Sequence, residues 1–499
     1  MRRVWVREST GWIGALGVSI LIAGQVAASA RSELLFRDGD SLVVAMFARS
    51  VLAGGLQDWA MSSVLFLPES TVFAGLDAVL PLDVNALLAV SAVVNLLALY
   101  GALRLVAGRR RDSGAPVAWS LIVLVVFGIL AATETSASRD ALELASLQLT
   151  TTYYAATVVG VVISIGLVRR VLDRGRGGIG LFVALGVVAA ISTLTNPLFA
   201  VWATVPLIVI IVIGMVGSTA KARSAALLAV LVGGTALGLL ARMPFAAWIA
   251  NTGAGYAQPE QWNQSVGYYG GLLADRLSTP LGVIGAVLTL ALLAWAVVRT
   301  ARADDDGSRL VATIAWLAPV LVVIGAIALG THAARYLQPL AFAPVLAVVA
   351  SPRAFRMPSA VSRVVLSVAA VLVLISGAVS IPRLAAAAEA PDPDLVCVTD
   401  WVNASDRTGA GQFWTVRLPK LHLADPSQLV QVDHQLNGYA WLVNRHDFDI
   451  GEVSFLVEDA QTVQWQLPVP AVPEDVVECG RYRILDFGDT TLPLGPQRS

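Results

Sequence analysis

The chain has 499 residues, of which 56% are hydrophobic and only 14% charged, and its mean hydropathy is +0.72. This composition excludes an ordinary soluble protein and predicts an integral membrane protein. The net charge of −1 hides an acidic C-terminal region, since residues 390–499 hold 16 acidic and seven basic side chains. A large region with a net negative charge does not fit nucleic-acid binding, so no nucleic-acid partner is expected.

Eleven apolar segments approach the length of about 20 residues that crosses a bilayer as a helix. The first is also compatible with a signal peptide, because Ala27, Ala28 and Ala30 follow it. A retained first helix agrees better with a chain that has so many later spans. The predicted spans are residues 12–29, 84–107, 117–133, 153–168, 179–195, 197–217, 225–241, 280–298, 310–329, 337–350 and 361–381.

Basic residues cluster in alternate loops, and this bias predicts the orientation in the membrane. With a cytoplasmic N-terminus, Arg109–Arg111 and Arg169–Arg170 lie inside, and an odd number of spans places residues 382–499 outside. The basic residues are nearly all arginine, which together with abundant Ala, Val and Gly indicates a bacterium with a GC-rich genome. We therefore expect a multi-pass protein of a bacterial plasma membrane.

Three segments on the predicted outer side differ from simple connections. The first loop, residues 30–83, is long, and its apolar residues recur at helical spacing from Leu42 to Leu52, as in an amphipathic helix lying in the membrane interface. Residues 242–279 are rich in Trp and Tyr, which usually anchor a protein at the interface. The third segment, Thr331–Tyr336, is a short polar connection between two spans.

The chain changes character near residue 385, where Pro391 and Pro393 mark a linker. We therefore expect a transmembrane domain over residues 1–384 and a C-terminal domain over residues 385–499. The predicted fold class is an all-α polytopic membrane bundle with a small extracytoplasmic domain that is β-rich or α+β. The runs typical of strands are Leu395–Val398, Gln412–Leu418, Leu429–Val432, Val453–Val457 and Tyr482–Phe487.

The two cysteines of the chain, Cys397 and Cys479, both lie in this C-terminal domain. Outside the cell the compartment permits a disulfide, and with two cysteines its connectivity is fixed. Two unpaired buried thiols are the alternative. A disulfide is favoured because neither residue belongs to a metal or redox motif such as C-x-x-C.

Two acids in the long first loop, Asp38 and Asp40, are the strongest candidates for chemistry. They flank Gly39 and precede the helical run Val43–Leu52. The structural alternative is a helix cap formed by Asp40 or Ser41. The D-x-D spacing can also place two carboxylates on a divalent cation, which stays open as a possible cofactor at Asp38 and Asp40.

The residues from Asp40 onwards resemble a signature of the GT-C superfamily, D-E-x-x-Y-x-x-x-A-x-x-x-L, which follows the first transmembrane helix. Asp40, Ala48 and Leu52 match it, whereas Val44 replaces the aromatic residue and Ser41 the second acid. GT-C proteins are integral-membrane glycosyltransferases that use polyprenyl-phosphate sugars, such as dolichyl-phosphate-mannose mannosyltransferases and aminoarabinose transferases. The predicted topology, with its long first outer loop and outer soluble domain, is similar as well.

The resemblance implies transfer of a sugar from a polyprenyl phosphate to an acceptor at the outer face, with inversion at the sugar. A base must remove the proton of the acceptor hydroxyl, and a carboxylate within hydrogen-bond reach can do this. We expect Asp40 to be this base. Either Asp38 contributes the second carboxylate, or the chain works with one. Many GT-C proteins need no metal, so no cofactor is expected to be required.

The leaving phosphate requires a cation that stabilises its developing charge. Arg335 is the first candidate, because Arg335–Pro339 resembles a GT-C sequence with an arginine and a tyrosine near the substrate phosphate. Ordinary alternatives are an arginine that reaches the lipid headgroups, an arginine paired with a neighbouring acid, and a solvated loop acid. The predicted substrate-binding residues are Arg335, His332, Tyr336, Arg37, Arg49 and Glu69.

The expected partners are a polyprenyl-phosphate-linked sugar, membrane lipids and a glycan, lipid or protein acceptor. A transporter or flippase for a lipid-linked saccharide is the alternative, although such proteins carry ionisable residues within spans or paired broken helices. A non-catalytic cell-envelope scaffold is a third possibility, since Ser41 and Val44 depart from the signature. The sequence contains no P-loop, Rossmann fingerprint, H-E-x-x-H or G-x-S-x-G motif.

Overall fold

The computed structural model describes residues 2–108, 114–174, 178–215, 221–353, 358–468 and 470–498. The chain is mainly helical, at 66%, and most of its strands lie towards the C-terminus. Arg109–Arg111, which contribute to the predicted orientation, lie outside the described residues.

The chain forms two compact units. The helical unit comprises Met1–Leu34, Ala89–Met243 and Ala254–Ala388. The α/β unit comprises Leu35–Leu88, Pro244–Gly253 and Glu389–Ser499. Most of the long first loop, and a short piece of the segment 242–279, therefore belong to the same unit as the C-terminal residues.

Helices and strands are numbered in chain order. The α-helices are α1 (Arg2–Ala27), α2 (Ser32–Phe36), α3 (Val43–Leu52), α4 (Leu67–Val79), α5 (Val84–Val106), α6 (Pro116–Ala132), α7 (Ala155–Arg174), α8 (Ile179–Thr195), α9 (Val205–Met215), α10 (Lys221–Leu240), α11 (Trp262–Leu277), α12 (Pro280–Ala301), α13 (Asp306–Ala328), α14 (Pro339–Phe342), α15 (Ser359–Ala388), α16 (Pro393–Ser405) and α17 (Phe413–His422). The strands are β1 (Trp59–Ala60), β2 (Gly409–Gln412), β3 (Leu429–Val432), β4 (Asn437–Tyr439), β5 (Val443–Asn444), β6 (Glu452–Val453), β7 (Phe455–Glu458), β8 (Asp475–Cys479), β9 (Tyr482–Asp486), β10 (Leu492–Pro493) and β11 (Gly495–Arg498).

Seven helices within the described ranges are long and apolar enough to cross a membrane. They are Trp5–Ala27, Val84–Val106, Ala155–Arg174, Lys221–Phe245, Pro280–Ala301, Asp306–Ala328 and Ser367–Ala388. The prediction of a mainly helical chain with several membrane-length helices and a strand-containing C-terminal region is therefore confirmed. The other four predicted spans fall on shorter apolar helices, Pro116–Ala132, Ile179–Thr195, Ala200–Met215 and Ala334–Val349.

Two of these shorter segments are interrupted. Between α8 and α9 the chain breaks at Asn196-Pro197 and continues as a π-helical turn over Ala200–Thr204. The predicted span 337–350 is not one α-helix, because Pro339 and Pro344 divide it into the short α14 and flanking 3-10 helices. Both interruptions are buried in the helical unit, where protein groups replace the missing helical hydrogen bonds.

Arg169 satisfies carbonyl groups at the ends of helical segments elsewhere in this unit. This buried arginine of α7 donates from Nη1 to the carbonyl oxygens of Val106 and Val349, at 2.6 and 3.0 Å, and from Nη2 to that of Ala350, at 2.9 Å. Carbonyls at the ends of two helical segments are thus satisfied by one cation.

Small residues let α8 and α10 pack closely. A β-carbon on Gly234 would lie 2.7 Å from the carbonyl oxygen of Gly186, and one on Gly238 would collide with the carbonyl of Ala190. Glycines of this kind allow two helix backbones to approach within an apolar bundle.

A seven-stranded mixed sheet forms the centre of the α/β unit, in the order β11-β4-β3-β2-β7-β9-β8. The three middle strands, β3, β2 and β7, are parallel, and α17 connects β2 to β3 as in a β-α-β unit. Ala410, Val430 and Leu456 contribute to the buried core of this sheet together with Ala60 from the long first loop.

Two predicted strands are wrong. Leu395–Val398 lies in α16, which Asp392 caps by accepting a hydrogen bond from the N–H of Leu395. In the run Gln412–Leu418, strand β2 ends at Gln412 and α17 begins at the next residue. The strands predicted at Leu429–Val432, Val453–Val457 and Tyr482–Phe487 are present as β3, β6 with β7, and β9.

Backbone pairing joins the long first loop to the rest of the α/β unit. Strand β1 pairs antiparallel with β5, and the N–H of Leu442 donates to the carbonyl of Ala60 at 2.6 Å. The first six residues of α3, Val43–Ala48, are all buried. This half of α3 is therefore a core helix, and the prediction of an amphipathic interfacial helix is wrong for it.

The predicted disulfide between Cys397 and Cys479 is present, with the two Cα atoms 5.5 Å apart. It joins α16 to the end of β8 and closes a loop with a sequence separation of 82 residues. The alternative of two unpaired thiols is wrong.

Candidate functional site

The loop between α2 and α3 carries the two predicted catalytic acids and belongs to the α/β unit. Asp38 is only 7% exposed, and its Oδ2 accepts hydrogen bonds from the N–H and the Oγ of Ser41, each at 3.2 Å. Helix α3 begins behind Leu42 without a side-chain cap. The helix-cap alternative for Asp40 and Ser41 is therefore wrong. The half-exposed carboxylate of Asp40 does not cap α3.

Arg417 of α17 lies against this loop and is fully buried. Its Nε donates to the carbonyl oxygen of Gly39 at 3.3 Å, and its Nη1 donates to the carbonyl oxygen of Leu442. Its Nη2 makes no hydrogen bond to any described residue. The loop with the two acids is thus fixed to the helix that follows the central strand of the sheet.

Arg417 also determines the charge around the loop. Burial lowers its pKa to about 10, while the negative charges of Asp40, Asp447 and Asp38 act in the opposite direction. Arg417 is therefore a cation at neutral pH. Asp447 is shared with Lys420, whose Nζ lies 3.0 Å from the Asp447 Oδ2.

The other candidates of the α/β unit contact carboxylates or are buried. The Nε of Arg37 lies 3.6 Å from Oδ2 of Asp392. Arg49 pairs with Asp77, with its Nε 3.3 Å from Oδ2 and its Nη2 3.4 Å from Oδ1. Glu69 is buried in the first turn of α4. Arg37 and Arg49 can bind a substrate anion only in competition with these acids.

Arg335 belongs to the helical unit, in the 3-10 helix Ala334–Leu337 that precedes α14. It is half-buried, its Nε donates to the hydroxyl of Tyr154 at 3.2 Å, and its guanidinium carbon lies 5.8 Å from the ring centroid of Tyr336. The next residues are anchored as well, because Nε2 of Gln338 donates to the carbonyl of Tyr153 at 2.7 Å. Arg335 is therefore held between aromatic residues.

A cluster of tyrosines surrounds this arginine. The rings of Tyr268 and Tyr269 lie 5.1 Å apart, and Tyr268 contacts the exposed His332 edge to face at 5.4 Å. Burial raises the pKa of Tyr268 and Tyr269, so their hydroxyls remain protonated at neutral pH. The predicted residues Arg335, His332 and Tyr336 thus lie together, within a group of hydroxyl donors and aromatic faces.

Tyr154 occupies an unusual backbone conformation at the start of α7. Its φ of 68° lies in the left-handed region, which a bulky residue rarely adopts. Its ring packs 5.9 Å from that of Trp202, whose Nε1 donates to the carbonyl of Tyr336 at 3.2 Å. Strained residues of this type cluster at functional sites, because the surrounding structure must hold them in place.

Two glutamates organise the loop that leads to Tyr154. The carboxylate of Glu134 accepts hydrogen bonds from the N–H groups of Ala145 and Ser146, at 2.8 and 2.7 Å. The carboxylate of Glu143 accepts from the N–H groups of residues 135 and 136 and lies 2.8 Å from Nη1 of Arg276. Both acids are buried. Their carboxylate oxygens therefore stabilise the fold of this loop.

Arg31 completes this network. It is 2% exposed and donates to four acceptors: Oγ of Ser146 at 2.8 Å and the carbonyl oxygens of Ser136, Ser138 and Glu143 at 2.9–3.0 Å. Burial lowers the pKa of Arg31, and the nearby charges of Glu134 and Glu143 oppose that change. A buried cation with four hydrogen bonds to this loop and its neighbours fixes the loop in one conformation.

The residues present do not fit a divalent cation at Asp38 and Asp40. Within the described ranges, no three His, Cys, Asp or Glu side chains group together in a way that could hold a metal ion. Asp38 already accepts two hydrogen bonds from Ser41, and the positive charge of Arg417 acts on both acids. No step of the chemistry proposed below uses a metal.

Sequence reasoning missed Arg417, Tyr154 and the Arg31 network, each of which depends on distant parts of the chain. Two signals were present. Arg417 and Lys420 lie three residues apart in an otherwise acidic region, and the polar run Thr150–Thr152 stands directly before an apolar helix. Neither signal indicates which distant residues these side chains contact.

Asp40 lies in the α/β unit and Arg335 in the helical unit. No protein-family model matches the sequence, and no curated protein matches it either. The assignment of a function therefore depends on the residues themselves.

Proposed function

We propose that the chain is a GT-C-type glycosyltransferase of a bacterial plasma membrane that transfers a sugar from a polyprenyl phosphate to an acceptor at the outer face. The observation that carries the proposal is the contrast within one loop. The contrast is one of exposure, because Asp38 is buried whereas Asp40 is only half-buried. A general base needs such an accessible carboxylate in a fixed loop.

The proposed topology has eleven spans, a cytoplasmic N-terminus and an extracytoplasmic α/β unit. The seven membrane-length helices supply seven spans, and the four shorter apolar helices, extended by flanking residues, supply the rest. With this orientation the loops that carry Asp40 and Arg335 are both on the outer side.

In the proposed reaction, the acceptor hydroxyl oxygen attacks the anomeric carbon of the donor sugar. A new bond forms between that oxygen and the anomeric carbon while the bond from the carbon to the phosphate oxygen breaks. Polyprenyl phosphate leaves with the electron pair, and the hydroxyl proton passes to the carboxylate of Asp40. The configuration at the anomeric carbon is inverted because attack and departure occur on opposite faces.

Arg335 is proposed to bind the donor phosphate. A guanidinium offers a planar set of donors that suits phosphate oxygens, and its half-buried position strengthens the attraction relative to open water. The hydroxyl of Tyr336 and the imidazole of His332 are close enough in the chain to add donors. The aromatic faces around Arg335 suit the apolar face of a sugar ring.

The test is a transfer assay with the purified protein in proteoliposomes, supplied with a panel of polyprenyl-phosphate sugars and an envelope extract as acceptor. Asp40→Asn is expected to lower the rate roughly 100- to 10,000-fold, and Arg335→Gln about 100-fold or more. Asp449→Asn is the matched control, because Asp449 is 71% exposed in the same unit as Asp40. Full transfer activity of Asp40→Asn would exclude Asp40 as the base.

The two interrupted segments favour a second candidate, a flippase for a lipid-linked saccharide. The breaks at Asn196-Pro197 and at Pro339 are connected through the hydrogen bond from Trp202 to Tyr336, and paired broken helices mark binding sites in transporters. A fluorescent lipid-linked saccharide that crosses the bilayer of the same proteoliposomes without sugar transfer would establish this candidate instead.

A further inference from the structure

Helix α17 holds the loop that carries the two acids. The guanidinium of Arg417 bridges the carbonyl oxygens of Gly39 and Leu442, which come from distant parts of the chain. Its position is fixed on the other side by Phe413, whose ring centroid lies 5.2 Å from the guanidinium carbon. Because Arg417 is fully buried, water does not compete for these hydrogen bonds.

The glycine between the acids is explained by the same contact. A β-carbon on Gly39 would lie 3.2 Å from Cε3 of Trp414 and 3.3 Å from Cγ of Arg417. Gly39 does not have a positive φ, so its conformation does not require glycine. The close approach of α17 favours glycine, since a β-carbon here would require the side chains of Trp414 and Arg417 to shift by a few tenths of an ångström.

We infer that Arg417 is a positioning residue, which holds Asp40 in place through the carbonyl oxygen of Gly39. This inference rests on the proposed function, in which Asp40 is the base, and it assigns the C-terminal region a part in the reaction. Surface loops are mobile unless they are fixed, and a base must be held at a defined distance from the proton it removes.

The first experiment measures hydrogen exchange of the backbone amides of residues 36–42 in the full-length protein in nanodiscs, and needs no substrate. Arg417→Gln is expected to raise exchange in this loop at least about tenfold, because a hydrogen bond from a charged group is lost. Arg417→Lys keeps the charge without the guanidinium fork, so we expect an intermediate value. Arg483→Gln is the matched control, because Arg483 is 54% exposed in the same unit and forms its ion pair with Glu458.

The second experiment measures transfer kinetics for the same variants. Arg417→Gln is expected to lower kcat about 10- to 100-fold with little change in KM for the lipid donor, and Arg417→Lys to restore part of the loss. A purely structural role would instead raise exchange throughout the α/β unit and lower the amount of folded protein. Either that result or unchanged exchange in residues 36–42 would overturn the inference.

Gly39→Ala provides a variant that leaves Arg417 intact. Its methyl group is expected to raise loop exchange and to lower kcat in the same direction as Arg417→Gln, by a smaller factor. Normal exchange and normal kcat in Gly39→Ala would show that close contact with α17 does not position the loop. If the wild-type chain transfers no sugar from any donor, the proposed function fails, while the exchange measurements still decide whether Arg417 holds the loop.

Discussion

Two loops of this protein each lie against a buried arginine and carry two carboxylates. The hydrogen bonds made by these charged groups differ between the two loops. In the helical unit, Glu134 and Glu143 bind backbone amides and Arg31 donates to four acceptors. In the α/β unit, Asp38 binds Ser41, Asp40 is half-exposed, and Nη2 of Arg417 makes no hydrogen bond to the residues that the structure describes.

The difference separates a structural network from a candidate reactive group. A buried polar network whose members are all bonded makes a loop rigid but leaves no group for a substrate. A loop with one buried and one half-buried carboxylate can present the second to a substrate, which is what the proposed function requires. Residue type alone does not distinguish the two cases, because both consist of acids and an arginine.

The largest expected effect comes from breaking the structural network. Arg31→Met removes four hydrogen bonds and leaves the charge of Glu143 to Arg276 alone, so the free energy of unfolding should fall by about 3–5 kcal/mol. The midpoint of thermal unfolding in detergent measures this. Arg309→Met is the control, because Arg309 is 58% exposed in a long ion pair with Asp306 and should change stability by less than about 0.5 kcal/mol. Equal midpoints for the two variants would show that the Arg31 network is not a major source of stability.

The disulfide should have the next largest effect, this time in the unit that holds Asp40. Replacing Cys397 and Cys479 by serine opens a loop with a sequence separation of 82 residues, which in the chain-entropy model costs about 4.5 kcal/mol. Limited proteolysis should then cleave the α/β unit first and leave the helical unit intact. Simultaneous loss of both units would show that their stabilities are not separable.

Substitution of Asp38 should have the larger effect on stability, and substitution of Asp40 the larger effect on activity. Asp38→Asn weakens the hydrogen bonds to Ser41 and is expected to lower stability by about 1 kcal/mol. Asp40→Asn should leave stability within about 0.5 kcal/mol and have the larger effect on transfer. The midpoints of unfolding of both variants, measured beside the transfer assay, check this pair. A larger loss of stability in Asp40→Asn would show that Asp40 is also a structural residue.

The smallest expected effect is a pH dependence at the end of α17. Burial lowers the pKa of His422, and the charge of Arg49 acts in the same direction. The folded state therefore binds this proton less readily than the unfolded state, so the contribution of His422 is present above the unfolded pKa of about 6.5 and is lost as pH falls towards the lower folded pKa. His422→Gln should make the unfolding midpoint less sensitive between pH 7.5 and pH 5.5. An unchanged sensitivity would mean that other groups cause the dependence.

Local features predicted the helices well and the strands less well. A membrane-length helix needs only a continuous apolar run, so hydropathy located α5, α7 and α12 to α13 without knowledge of their neighbours. Short apolar runs are ambiguous between strand and helix, and Leu395–Val398 was assigned as a strand although Asp392-Pro393 before it is a helix-start signal. At Gln412 the chain changes from β2 to α17 within one run rich in β-branched and aromatic residues, which no periodicity can resolve over so few residues.

The candidate residues also divide into those predicted from local sequence and those that depend on distant contacts. Asp38, Asp40 and Arg335 were found because charged residues next to apolar spans stand out in a sequence. Arg417 and Tyr154 were not, because each becomes notable only through a contact with a residue far away in the chain: Arg417 with Gly39, and Tyr154 with Arg335.

The sequence was sufficient to predict a mainly helical chain with several helices of membrane length, a strand-containing C-terminal region and a disulfide, because hydropathy, turn residues and cysteine number act over short stretches or as simple counts. The packing of the chain was needed to show that Asp38 is buried and Asp40 only half-buried, and that the long first loop shares a unit with the C-terminal sheet. Burial and hydrogen bonding depend on what packs against a residue, and here the packing partner lies 378 residues away along the chain.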